Sequence, residues 1–309
     1  MNKRRRVLSL LALTIFILSL VLSGCAAKTK GLEKEGEYII EAEQIAGYLG
    51  QENVVVVDMQ KGEDFAAGHV PGAVNISRAA ITIDEPFPNL VAPASEFEAV
   101  MGKNGIGNDT LVIIYDATSN MDAARLWWTL KFYGHNQTKV ISGGIEAIKA
   151  AGVELENKAQ QPSPKSFKAA EPDLTMLATI KEVRAQLNEP DAKTVFLDTR
   201  TAEEYAEGTI PGSILFDYAK NNYADGTYRP AQHLALDYIE AGVLPEQTII
   251  MYCKTSVRAA QTYLALYNAG YRNLKLYDGA WVEYSSYPTM PIQLPEESSG
   301  PALNSQDMS

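Results

Sequence analysis

Short apolar runs rich in β-branched residues recur along this chain, each ending in a polar residue and leading into a turn. Val54-Val55-Val56-Val57-Asp58 is one, and Thr194-Val195-Phe196-Leu197-Asp198 is a second. Runs of this length with no polar alternation predict strands buried on both faces, as in a parallel sheet. The first leads to Gly68-His69-Val70-Pro71-Gly72-Ala73 and the second to Gly208-Thr209-Ile210-Pro211-Gly212-Ser213. The Asp, Gly, Pro and Gly of the two copies share one offset of 140 positions. The glycines serve turn geometry.

The repeat continues downstream. Thr110-Leu111-Val112-Ile113-Ile114-Tyr115-Asp116 matches Thr248-Ile249-Ile250-Met251-Tyr252-Cys253. A helical stretch follows each, from Ala123 to Tyr133 and from Arg258 to Asn268, and each leads past a Gly to a further strand. Those strands end in Ser142-Gly143-Gly144 and Asp278-Gly279. Strands alternating with helices predict βα units, hence two α/β domains, each a mostly parallel sheet flanked by helices. Domain 1 is expected over 37–156 and domain 2 over 173–294. Between them 157–172, rich in Gln, Pro, Ser, Lys and Ala without periodicity, reads as a linker. Residues 295–309 read as a loose polar tail.

The N-terminus has a different character. Lys3-Arg4-Arg5-Arg6 precedes an apolar run from Val7 to about Leu22, then Ser23-Gly24-Cys25-Ala26. A basic region, an apolar region and small residues in that order predict a secretory leader over 1–24. Leu22-Ser23-Gly24-Cys25 resembles a bacterial lipobox, which implies lipid modification of Cys25. The expectation is a protein lipid-anchored outside the cytoplasm, with 25–36 as a tether. The run is shorter than the ~20 residues a spanning helix prefers.

Charge and cysteine count narrow the chemistry. With 38 acidic against 27 basic residues, the net charge of −11 argues against a nucleic-acid partner, whose phosphates demand clustered cations. An anionic substrate therefore needs a locally positive pocket. The three histidines lack metal-ligand spacing, so no metal is expected, and His69 suits a surface or capping role. Of two cysteines, acylation of Cys25 leaves Cys253 alone, a lone thiol in an oxidising compartment. A buried, inert cysteine is the competing reading.

Tyr252-Cys253-Lys254-Thr255-Ser256-Val257-Arg258-Ala259-Ala260 is the chemistry-bearing segment. A strand ends at Cys253, a short loop follows, and a helix starts near Arg258. A loop wrapped around the sulfur points backbone N–H groups inward, and the helix N-terminus adds partial positive charge. Lys254 and Arg258 add full charges. Each favours the thiolate, the nucleophilic form.

With these motifs assembled, the chain resembles the tandem-domain rhodaneses, or thiosulfate sulfurtransferases. The resemblance rests on Asp198-Thr199-Arg200 with Glu203-Glu204-Tyr205, on Gly208-Thr209-Ile210-Pro211-Gly212, on the loop from Cys253 to Ala259, and on Tyr277-Asp278-Gly279-Ala280-Trp281-Val282-Glu283-Tyr284. Ala124-Arg125-Leu126-Trp127-Trp128 and Gly143-Gly144 add an N-terminal family domain. The resemblance implies a catalytic domain 2 and an inactive domain 1, with Asp116 standing where Cys253 stands. It implies that Cys253 takes the outer sulfur of thiosulfate as a persulfide, releases sulfite, and passes the sulfur to cyanide or a thiol, with no other cofactor and as a monomer. Arg200 is then a candidate donor contact, alongside Lys254, Thr255, Ser256, Val257 and Arg258, with Asp198 in structural support. Trp281 is expected in the core.

Family loops often carry Gly where this one has Ser256, and a positive φ there strains Ser by roughly 1–2 kcal/mol. Three other functions compete. A mercaptopyruvate sulfurtransferase typically has a small uncharged loop, unlike Lys254 and Arg258. A cysteine-dependent phosphatase needs a longer Cys-to-Arg loop than Lys254-Thr255-Ser256-Val257. The third is a non-catalytic protein that carries persulfide or binds an anion.

Overall fold

A computed structural model of the chain describes residues 32–33 and 36–294. The leader, Cys25 and the 295–309 tail lie outside the described residues. No helix among the described residues is long and apolar enough to cross a membrane.

The first domain runs β1 (Ile39–Ile40), β2 (Val54–Asp58), α1 (Gly62–Ala67), β3 (Val74–Asn75), β4 (Thr82–Ile83), β5 (Leu90–Val91), α2 (Ala94–Lys103), β6 (Leu111–Tyr115), α3 (Met121–Phe132), β7 (Thr138–Ile141) and α4 (Gly144–Ala150). The second runs β8 (Leu177–Ala178), α5 (Ile180–Asn188), β9 (Thr194–Asp198), α6 (Ala202–Ala206), β10 (Ile214–Leu215), α7 (Ala231–Glu240), β11 (Thr248–Tyr252), α8 (Val257–Asn268), β12 (Leu274–Tyr277) and α9 (Ala280–Ser286). The sheet orders are β1-β7-β6-β2-β3 and β8-β12-β11-β9-β10, so the two domains share one topology. Every pair in both sheets is parallel. β4 and β5 form a separate antiparallel hairpin.

Because side chains alternate across a strand, each central strand feeds two cores. Val112 and Ile114 of β6, with Ile249 and Met251 of β11, face a shared interdomain core. Ile113 and Tyr115 face an outer core of domain 1, and Ile250 and Tyr252 an outer core of domain 2. Cys253 continues the 249, 251, 253 register and so lies on the interdomain side. Helices α3 and α8 pack against each other across the boundary, with Trp127 against Tyr267 (ring centroids 5.6 Å) and Tyr263 (6.3 Å). Both helices stop shortly before a glycine with positive φ, Gly134 and Gly270, which reverses the chain without a Cβ clash.

Two segments are more firmly attached than composition suggested. The 157–172 linker is irregular, but it straps domain 1: Phe167 is buried edge-on against Phe97, and Lys165 and Ala170 donate backbone hydrogen bonds to Gly102 and Tyr133. At the tether, the Glu33 and Gly36 amides donate to the Gly270 and Asn268 carbonyls of domain 2. His69, expected at the surface or in a cap, is fully buried; its Nδ1 lies 2.7 Å from the Phe65 carbonyl in the last turn of α1.

Candidate active site

Asp198 ends β9 and Cys253 follows β11, on adjacent central strands of one parallel sheet. The carboxyl ends of such strands, beneath a following helix, are where α/β folds place ligands. The Cys253 thiol is free and buried, with only 1% of the residue exposed. Its loop is anchored from below: the Trp281 amide donates to the Cys253 carbonyl (2.9 Å) and the Val282 amide to that of Lys254 (3.2 Å). Lys254 is exposed, Thr255 and Arg258 are half-buried, and Ser256 and Val257 are buried.

Ser256 adopts φ 67° and ψ −17°, the left-handed region that usually takes glycine. A serine preceding a helix normally accepts a hydrogen bond from the first turn, which requires extended backbone. In this conformation Ser256 makes no cap, and its Oγ is buried without a partner. The first-turn amides of α8 therefore have no side-chain cap.

Domain 1 has a loop one residue longer at the corresponding place, Ala117 to Asn120 against Lys254 to Ser256, closed around a carboxyl group. The Asp116 carboxylate accepts the amides of Thr118 (3.1 Å), Asn120 (3.0 Å) and Ala123 (3.0 Å), together with the Thr118 hydroxyl (3.0 Å). A ring of loop amides and a helix start thus converge on the group at the strand end. Asn120, which precedes α3, has φ 68° and occupies the place of Ser256. Burial nevertheless pushes the Asp116 carboxyl above its ordinary range. The domain 1 cleft, a cavity of about 760 Å³, is lined by Gln60, Asp64, Asp84 and Asp122 as well as Lys61 and Arg78.

Arg258 is the charged side chain in the first turn of α8, at the far end of the Cys253 loop. Its Nη1 and Nη2 donate to the Glu204 carboxylate at 2.6 and 2.8 Å, and its guanidinium lies 5.6 Å from the Tyr218 ring centre. Burial works against its charge, but the Glu204 hydrogen bonds and the neighbouring Cys253 hold it above its ordinary value. The hydrogen bond from Arg258 holds the Glu204 carboxyl down to about 2, despite partial burial.

Arg200, a candidate donor contact, is closed onto its own turn. Its Nε and Nη2 donate to Asp198 (3.0 and 2.6 Å), Nη2 also reaches the Gly208 carbonyl (2.6 Å), and its guanidinium lies 4.3 Å from the Trp281 ring centre. It is 3% exposed and braces the Asp198 turn under the half-buried Trp281. The side chain is thus paired and buried rather than open to solvent. Asp198 also accepts the Arg200 amide and the Thr209 hydroxyl.

Sequence reasoning missed Glu204 and Tyr218 as neighbours of the site. Glu204 carried two signals: it lies in the Glu203-Glu204-Tyr205 segment on which the resemblance rests, and Thr201-Ala202-Glu203-Glu204 has the capping-box spacing, with the Thr201 amide donating to Glu204 Oε2 (3.1 Å). Tyr218 carried none. A buried interdomain pair was also missed, Arg125 Nη2 to Asp278 Oδ1 at 2.7 Å. Asp278 immediately precedes the loop that anchors Cys253, and its Oδ2 accepts the Val91 amide of domain 1 (2.8 Å).

The family model described as a rhodanese-like domain matches residues 41–151 and 179–287. The chain belongs to the rhodanese family, with two such domains in tandem. It is similar to a thiosulfate sulfurtransferase of Corynebacterium glutamicum, 28% identical over 281 residues, covering 84% of this chain and 91% of that one. It is also similar to the sulfur carrier protein TtuD of Thermus thermophilus, 26% identical over 282 residues, covering 84% and 98%. Among solved structures, the fold resembles the anaerobic ergothioneine biosynthesis enzyme of Chlorobium limicola, with a TM-score of 0.76, 20% identity, and coverage of 84% of this chain and 71% of that one. Family and relatives together support sulfur transfer as the class of chemistry.

Proposed function

We propose that this protein moves a sulfane sulfur from thiosulfate to a thiol or cyanide through a persulfide on Cys253. The Cys253 thiolate attacks the outer sulfur of thiosulfate, a sulfur–sulfur bond forms, and the bond to the sulfonate breaks. The electron pair leaves with sulfite. An acceptor thiolate or cyanide then attacks the terminal sulfur of the persulfide and returns Cys253 as thiolate. No redox partner is required.

The observation that carries this reading is that Cys253, the free cysteine among the described residues, sits at a strand end before a helix start, the place where domain 1 directs three loop and helix amides at the Asp116 carboxyl. Preorganised amides of this kind stabilise charge on sulfur without reorganising. Burial of Cys253 fits a carrier step, because the added sulfur projects about 2 Å beyond the first and is the atom an acceptor meets. Domain 1 has a carboxylate in the same place and Asp122 at the position of Arg258, so it holds no sulfur and repels anions. Cys25, through its lipid, would tether the protein outside the cytoplasm.

Cyanide-dependent thiocyanate formation, compared between the natural protein and Cys253→Ser, tests the proposal. Loss of all turnover with an unchanged circular dichroism spectrum is expected. Undiminished turnover in the variant would place the chemistry elsewhere.

A further inference from the structure

Arg258, in the first turn after the Cys253 loop, does not stand alone. Both terminal nitrogens of its guanidinium engage one carboxylate, Glu204, at 2.6 and 2.8 Å, and that carboxylate is itself fixed by the Thr201 amide at 3.1 Å. The pair is part-buried, with side-chain exposures of 18% and 28%. A continuous path therefore runs from the start of α6 through Glu204 to Arg258, in the first turn of the helix that follows the Cys253 loop. A bidentate fork fixes the direction of a guanidinium as well as its distance, which a single contact would not.

Domain 1 provides a built-in comparison. Asp122 and Arg258 are each the second residue of the helix that follows the loop, α3 and α8. Asp64 and Arg78 sit at the positions of Glu204 and Tyr218, at the same offset of 140 as the strands. There Arg78 pairs with Asp122 at 2.7 Å, and the residue at the strand end is the carboxylate of Asp116. The domain without a nucleophile thus keeps an acid, Asp64, at the holder's position but lacks the helix-borne arginine for it to hold.

We infer that Glu204 is a positioning residue: it holds the Arg258 guanidinium against the Cys253 sulfur, so that the acid sustains rather than cancels positive charge at the site. The inference rests on Cys253 as the reactive sulfur and names the device that sets the charge its reagents meet. The other charged groups on the surrounding elements do not substitute for it. Asp198 and Arg200 at the end of β9 are paired with each other, as are Asp278 after β12 and Arg125 of α3. Lys254 is in the loop but exposed, and Glu283 of α9 carries no positive charge.

The sign of one ratio decides the matter. Cys253 in the folded protein is alkylated with iodoacetate, an anion, and with neutral iodoacetamide, and the ratio of rate constants reports the local charge. Glu204→Gln keeps the shape and an acceptor for Thr201, but gives up the charged fork. Loss of the holder lets Arg258 turn to solvent, and the ratio falls on the order of fivefold. Glu204→Asp keeps the charge but is one methylene short of the fork, and lowers the ratio similarly. Combining Glu204→Gln with Arg258→Gln produces no further fall. A rise in the ratio for Glu204→Gln is the result for a carboxylate that only offsets charge, and would overturn the inference. So would an unchanged ratio in either single variant, or a further fall in the double variant. Alkylation needs no sulfur donor, so this result stands whether or not thiosulfate is turned over.

Discussion

Ser256→Gly is expected to stabilise the protein, against the usual direction of a buried substitution. Ser256 holds φ at 67°, which costs a non-glycine residue ~1–2 kcal/mol. Its buried hydroxyl has no partner, which adds about 1–3 kcal/mol of desolvation without return. Glycine removes both costs and incurs roughly 0.5–1 kcal/mol through the greater freedom of the unfolded chain. The net gain is about 1–4 kcal/mol, and ~1 kcal/mol corresponds to about 2–4 °C in Tm for a protein of this size class. Differential scanning calorimetry of the two proteins, with urea unfolding as a second measure, is the assay. A lower Tm for Ser256→Gly would show that the hydroxyl has an important partner or that the loop does not hold this conformation, and the strain argument would fail. Because α8 has no side-chain cap to lose at Ser256, no offsetting loss of helix stability is expected.

Two further outcomes follow from the electrostatics. Arg125→Met should destabilise by about 3–5 kcal/mol, because it strands the buried Asp278 carboxylate; Arg125→Met with Asp278→Leu should recover most of that loss in urea unfolding, and no recovery would show that the cost lies in packing alone. The Glu204 carboxyl is depressed to about 2, so its contribution to stability is complete above the ordinary glutamate range and fades as pH falls toward 2. The stability difference between the natural protein and Glu204→Gln should therefore be constant from pH 7 to 5 and shrink below it, and a difference that grows on acidification would contradict the pairing.

Much of the architecture was legible because parallel sheets demand uniformly apolar strands, and such strands are conspicuous. The runs at Val54 and Thr194, and those at Leu111 and Thr248, all became central strands with the pairing that the internal repeat implied. Cys253 was legible for the same reason, since a strand end before a helix start is a definite place. Partners brought together by tertiary folding were not. Glu204 meets Arg258 across 54 positions, and Arg125 meets Asp278 across the domain boundary; neither distance is written in local pattern. The pairing of Arg200 was not legible for a related reason. Its spacing to Asp198 on the turn allows either an outward reach or a closed pair, and only the packed Trp281 ring and Gly208 carbonyl make the closed pair the better one. The 157–172 strap has no periodicity because it is held by backbone hydrogen bonds and one buried Phe167, which composition does not reveal.

The central claim is that Cys253 carries sulfur in transit. Intact-mass and peptide mass spectrometry after incubation with thiosulfate, followed by cyanide, tests it most directly. A gain of one sulfur atom on the Cys253 peptide, removed by cyanide, is the predicted result. An unmodified Cys253 peptide under conditions where thiocyanate is formed would contradict it.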